Sequence, residues 1–234
     1  MIPESLVAAL VCGATAAAGG VQVPRLVSRL PEPTPTDTGK TPYAELAERP
    51  RLGWACAIIA GGLAAAMGAS RGLSADLPVW VFLAVLGVTL GFVDWRTQLL
   101  PARLVAPAYV VVGGLLSAAS AITWSDGGRE ALIRAGISWG VVFGVYFVLW
   151  FVHPRGLGYG DVRLSGVLGM ALGWLGSEAV VVGTYAAFLL GAVLGGLLAL
   201  ARVVDRKGYP FGPFMLVGAF FGVLHAGGDL VFWR

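Results

Sequence analysis

The chain has 234 residues, of which 57% are hydrophobic and 12% charged, and its mean hydropathy is +0.81. Soluble domains carry roughly 25% charged residues, so the composition excludes a soluble protein and predicts an all-α, polytopic membrane helix bundle. The net charge is +3, but the basic residues are scattered along the chain rather than gathered on a face, which excludes a nucleic-acid partner.

A helix crossing the hydrocarbon core needs about 20 predominantly apolar residues. Seven runs reach or approach that length: 4–23, 52–70, 77–95, 104–124, 133–153, 179–202 and 212–233. The first opens Met1-Ile-Pro-Glu-Ser, with no Lys or Arg, and so reads as a retained helix rather than a signal peptide with a positive n-region. Cys12 and Cys56 fall inside apolar runs and read as small buried hydrophobes. Their number excludes a disulfide framework or a zinc site. Residues 31–51, rich in Pro, Thr and charge, form the sizeable hydrophilic segment and read as a short cytoplasmic loop within a single integral membrane domain, 1–234. An eighth apolar segment, 164–175, is short and could cross or re-enter.

Charge decides how to count it. If the eighth segment crosses, 12 of the 16 basic residues share one side, including Arg25, Arg29, Arg96, Arg103, Arg155, Arg163, Arg202, Arg206 and Lys207. Arg71, Arg129, Arg134 and Arg234 remain on the other. If it does not cross, the asymmetry weakens. Basic residues concentrate on the cytoplasmic side, so the expectation is eight spans with both termini outside. Small-xxx-small pairs, Gly140 with Gly144, Gly191 with Gly195 and Gly218 with Gly222, read as close helix packing. Such pairs serve intramolecular packing and oligomers equally well and set no oligomeric state.

Ionisable side chains at membrane depth are costly and point to function. Asp94, Asp161 and Asp229 are the three acidic residues within or at the edge of apolar runs. Asp94 ends the third run and precedes Arg96, with which an interfacial pairing is the plain alternative. Asp161 follows Gly156-Leu157-Gly158-Tyr159-Gly160, where missing side chains and freedom of φ let a peptide backbone approach. A turn with a helix cap is the plain alternative there. The predicted topology puts Asp94 and Asp161 at the same membrane edge. Two carboxylates brought together do not both ionise easily, so one holds a proton while the other stays anionic. Such a pair, titrating as a unit, activates a water and protonates a departing amine, which suffices for peptide-bond hydrolysis without a metal or cofactor. Asp229 falls at the opposite edge and reads as structural. His153 and His225 have no carboxylate cluster of ligand spacing beside them, so no metal site is expected.

Gly158-Tyr159-Gly160-Asp161-Val162-Arg163-Leu164 resembles the GxGD signature of the type IV prepilin peptidases, GxGD membrane aspartic peptidases. Asp94 followed by Leu99-Leu100-Pro101-Ala102-Arg103-Leu104 resembles that family's first-aspartate motif. Tyr209-Pro210-Phe211-Gly212-Pro213-Phe214 resembles the Pro-Phe-Gly-Pro that opens its last helix, and Gly20 with Arg29-Leu30-Pro31 resembles, more loosely, the end of its first. The resemblance implies a membrane aspartic endopeptidase of the bacterial cytoplasmic membrane that removes the basic leader of prepilins or pseudopilins at the cytoplasmic face. Asp94 and Asp161 are then the catalytic pair, and Gly158 and Gly160 shape the active-site loop.

Larger members also methylate the new N-terminus with S-adenosylmethionine and carry two CxxC pairs in the first loop. Residues 31–51 contain no cysteine, Pro24 stands where an Asn is usual, and Ala102 where Asp or Asn is frequent. These departures bear on methylation, and cleavage is the activity the resemblance supports. A basic leader would seek acidic partners, and Glu32, Glu45 and Glu48 are those available in the first loop, with a solvated face as their plain reading. Rival readings are a preflagellin-type or signal-peptide-peptidase-like enzyme, a small proton- or cation-coupled transporter, and a non-catalytic assembly subunit.

Overall fold

A computed structural model describes residues 3–32, 40–154, 156–200 and 210–228. Arg155, Arg202, Arg206, Lys207, Tyr209, Asp229 and Arg234 lie outside the described residues. Among the described residues all regular structure is helical: α1 (Glu4–Val21), α2 (Val23–Ser28), α3 (Tyr43–Ala47), α4 (Leu52–Arg71), α5 (Leu77–Thr97), α6 (Ala102–Ile122), α7 (Gly128–Val152), α8 (Tyr159–Leu175), α9 (Ser177–Leu190), α10 (Gly196–Leu200) and α11 (Gly212–Ala226). A π-helical turn, Gly191–Gly195, joins α9 to α10.

Among the described residues six helices are long and apolar enough to cross a membrane: α1, α4, α5, α6, α7 and Ser177–Leu194. The chain is a multi-pass membrane protein. α8, with 17 residues, and α11, with 15, are shorter. The short apolar segment at 164–175 is thus the greater part of a longer helix that begins at Tyr159, and one residue, Gly176 with φ 148°, separates it from α9.

Chain packing divides into two compact units, Met1–Arg103 and Leu104–Arg234. In the first, α1 and α4 pack along small residues. Ala8, Cys12, Ala16 and Gly20 recur every fourth position of α1 and are buried, as are Ala57, Ala60, Gly61, Ala64 and Gly68 of α4. Small residues let helix backbones approach where lipid removes the hydrophobic incentive to associate. Gly20 shows how close: a Cβ there would lie 2.5 Å from Cα of Ala57. The chain leaves α1 at Gln22 and turns into α2, so the first helix stops two residues before the apolar run does.

α5 completes this unit, and its entry is polar. Asp76, 2% exposed, accepts from Nε1 of Trp80 over 2.6 Å and lies 3.4 Å from the Arg71 guanidinium. The hydrophilic segment 31–51 contains α3, whose first amides, those of Tyr43 and Ala44, donate to the carboxylate of Glu32 at 2.8 and 2.9 Å. Glu32 therefore serves as a helix cap, while Glu45 and Glu48 are exposed.

In the second unit α8 packs on α7, α9 and α11, and α9 packs on α11. Glycine again sets the approach: a Cβ on Gly218 would collide with O of Gly183 and N of Ala187, and one on Gly222 would lie 2.6 Å from O of Ala179. Gly140 and Gly144 differ from the packing expected of them. Together with Gly136 they have nothing within 4 Å of an added Cβ.

Candidate active site

Asp94 lies in the last turn of α5 and is 4% exposed. The helix stops just beyond it because Gln98 takes the left-handed conformation, φ 52°, and donates its amide to O of Asp94 over 2.8 Å. Pro101 follows and α6 starts at Ala102, so the first-aspartate motif is a helix end, a tight turn and a helix start. Arg96 is exposed where Asp94 is buried, as expected for residues two apart on a helix, which do not face each other.

Asp161 lies in the first turn of α8 and is 7% exposed. Gly158 is the N-cap residue, and its amide donates to Oδ2 of Asp161 over 3.0 Å. This is one half of a capping box; glycine has no side chain to return the other. None of Gly156, Gly158 and Gly160 has a positive φ, so the freedom of φ expected of this loop is not used. The absence of a side chain is: a Cβ on Gly158 would sit 3.2 Å from the Asp161 carboxylate. Gly160 is within the helix itself. Asp161 thus also performs the capping read as its plain alternative, from the third helical position.

Aromatic residues from inside and outside the motifs surround α8's entry. The Tyr159 ring lies under the Arg163 guanidinium, 4.6 Å from its centroid, and 5.0 Å from the Trp150 ring. Tyr146 of α7 is buried, within electrostatic reach of Asp161, and packs at a tilt against Phe188 and Phe211 at centroid distances of 5.1 and 6.4 Å. Phe211 of the Pro-Phe-Gly-Pro motif therefore supports Tyr146, and Gly191 makes room for its ring. One signal for Tyr146 was present: a phenol inside an apolar run needs a partner when buried. Next to it a shallow cleft is lined by Tyr146, Ser165, Thr184, Leu172 and Met215.

Among the described residues no group of three or more His, Cys, Asp or Glu side chains could hold a metal ion. His225 of α11 lies 3.6 Å from Glu178 of α9, a structural pair. Asp94 belongs to the first unit, and Gly158, Gly160 and Asp161 to the second.

The profile of the type IV leader peptidase family matches residues 80–200, which include both aspartates and the GxGD loop. The chain belongs to the type IV leader peptidase family. A leader peptidase of this family, HopD of Escherichia coli, is 34% identical over 149 residues, covering 63% of this chain and 93% of HopD. The prepilin leader peptidase/N-methyltransferase of Aeromonas hydrophila is 32% identical over 154 residues, 65% of this chain and 49% of that one. Its counterpart in Escherichia coli K12 is 32% identical over 138 residues, 56% of each chain. The chain spans about half the length of these bifunctional relatives. No solved structure matches this leader peptidase family member.

Proposed function

We propose that this leader peptidase family member is a membrane aspartic endopeptidase that removes the basic leader from prepilins or pseudopilins, with Asp94 and Asp161 as its catalytic pair. The observation that carries the reading is the placement of Asp161: a buried carboxylate, held by the Gly158 amide at the start of α8, inside the motif typical of the family. Asp94, equally buried at a helix end, is the matching acid.

Helix termini suggest the division of labour. The first turn of a helix favours negative charge and the last turn opposes it. Asp161, in a first turn, suits the anionic base; Asp94, in a last turn, suits the protonated acid. Water attacks the scissile carbonyl, Asp161 accepts its proton and Asp94 polarises the carbonyl oxygen. The tetrahedral intermediate then breaks at its C–N bond and the departing amine takes a proton from the pair.

The site faces the cytoplasm of a bacterial inner membrane in this reading, because the basic residues of the chain concentrate on that side. The prepilin's apolar helix lies in the bilayer while its leader stays in the cytoplasm. The product carries an unmodified N-terminus, since residues 31–51 hold no cysteine and offer no second domain.

Co-expression with a tagged prepilin from the same genome tests all of this. Leader removal is followed by gel shift, and the new N-terminus by mass. Wild type cleaves; Asp94→Asn and Asp161→Asn insert but lose about 10²–10⁴-fold in rate. Full turnover by either variant refutes the pair, and a product heavier by one methyl group refutes the unmodified N-terminus.

A further inference from the structure

The helix that bears Asp161 is tethered from the side by a residue outside every motif. Tyr109 of α6 donates its hydroxyl to the carbonyl oxygen of Arg163 over 2.6 Å, across 54 positions of sequence. The indole of Trp139 on α7 lies beside the same hydroxyl. A helical carbonyl has two lone pairs, and the second is the one Tyr109 takes.

The hydroxyl reaches that carbonyl through a notch. On Gly166, three residues further along α8, an added Cβ would collide with the Tyr109 hydroxyl; it would also lie 3.1 Å from Cζ of Tyr109 and 3.1 Å from Nε1 of Trp139. Three helices therefore meet at one oxygen atom, and the meeting needs glycine at 166. Arg163 is the pivot on the α8 side: its carbonyl holds Tyr109 and its guanidinium lies on the Tyr159 ring. Arg163 is two residues beyond Asp161, within the same turn.

We infer that Tyr109 is a positioning residue that fixes the axial and rotational setting of α8, and through it the direction of the Asp161 carboxylate. This rests on the assignment of Asp161 as catalytic. The Gly158 amide orients the carboxylate relative to its own helix, but nothing in that bond sets the helix relative to its neighbours. The Tyr109–Arg163 bond, with Trp139 packed beside it, does. Catalytic geometry tolerates little error, an ångström of misplacement being worth about 10²-fold in rate.

The test uses the full chain in lipid nanodiscs with a purified prepilin, reading kcat and KM separately, and compares Tyr109→Phe, Gly166→Ala, the double variant and Trp139→Phe. Tyr109→Phe keeps the ring and removes the tether, so kcat falls about 10-fold at unchanged KM. Gly166→Ala expels the hydroxyl by bulk and falls further. Combining the two removes the atom that the new methyl group strikes, so the double variant returns to the level of Tyr109→Phe instead of showing the product of the two losses. Trp139→Phe lowers kcat in the same direction by less, and carries the test if Tyr109→Phe does not accumulate.

An unchanged kcat in Tyr109→Phe or, failing that variant, in Trp139→Phe overturns the inference. So does a loss that lies wholly in KM, or a double variant with multiplied losses. Asp161→Asn is measured alongside. If it still cleaves, the assignment of Asp161 has failed; if it is inactive while Tyr109→Phe cleaves like wild type, only the positioning role has failed.

Discussion

Gly158 donates its amide to Oδ2 of Asp161 over 3.0 Å, so one carboxylate both closes the start of α8 and supplies the proposed base. Substitutions there separate the two duties. Asp161→Asn keeps an oxygen acceptor for the Gly158 amide and should melt in detergent close to wild type while losing leader cleavage. Asp161→Ala should lose cleavage and also about 1 kcal/mol of stability, the net value of a hydrogen bond of this kind. Thermal unfolding followed by tryptophan fluorescence distinguishes them.

The far end of α8 is closed from another helix. Arg134 of α7 donates from Nε to O of Gly173 over 2.8 Å and from a terminal nitrogen to O of Trp174 over 2.7 Å. The last carbonyls of a helix have no partner within it, and a cation at that end also suits the helix dipole. Arg134→Met should cost about 2 kcal/mol. Arg134→Lys should recover only part of that, because an ammonium does not span two carbonyls as the planar fork does. Denaturant titration in micelles gives both values.

At the start of α5, Asp76 is buried and held by Trp80 and Arg71. Trp80→Phe removes the indole donor and leaves Oδ2 of Asp76 short of a partner, which should cost about 1–3 kcal/mol. This pair lies at the opposite end of α5 from Asp94, so cleavage by the folded fraction should stay at the wild-type rate. Melting curves and specific activity, measured on the same preparation, check the two statements together.

Glycines divide by surroundings rather than by spacing. Gly218→Ala drives a methyl group into the backbone of α9 and should destabilise by about 1–3 kcal/mol, as overpacked cores do. Gly140→Ala meets open space on α7 and should leave folding unchanged. Expression level and melting temperature in detergent separate these outcomes.

Apolar length alone located every long helix, because a span must be some 20 residues of predominantly apolar composition. α8 was harder to see whole. Its first turn, Tyr159-Gly160-Asp161, contains glycine and a carboxylate, and no hydropathy scale credits Asp161 with capping the helix that it opens. Both aspartates were conspicuous for their cost at membrane depth. Tyr109 was not, since its partner lies far along the chain, and Tyr146 offered only the general need of a buried phenol for a partner. Four-residue spacing of glycines was an incomplete guide for a related reason. Spacing shows that a helix has a smooth face, as for both Gly218/Gly222 and Gly140/Gly144, while the neighbour that uses it depends on the fold. The α1–α4 contact, built largely from alanine, carried no such signal.

α8 is buried along almost its whole length, from Asp161 to Trp174. At 1.5 Å per residue its 17 residues span about 25 Å, less than the hydrocarbon thickness of about 30 Å. A helix that short, bathed in lipid, would force the bilayer to thin around it. α8 is solvated by protein instead, and acyl chains press on the helices around it. Membrane thickness therefore acts on the outer spans, and the Asp161 end of α8 is insulated from changes in lipid composition that accompany growth temperature.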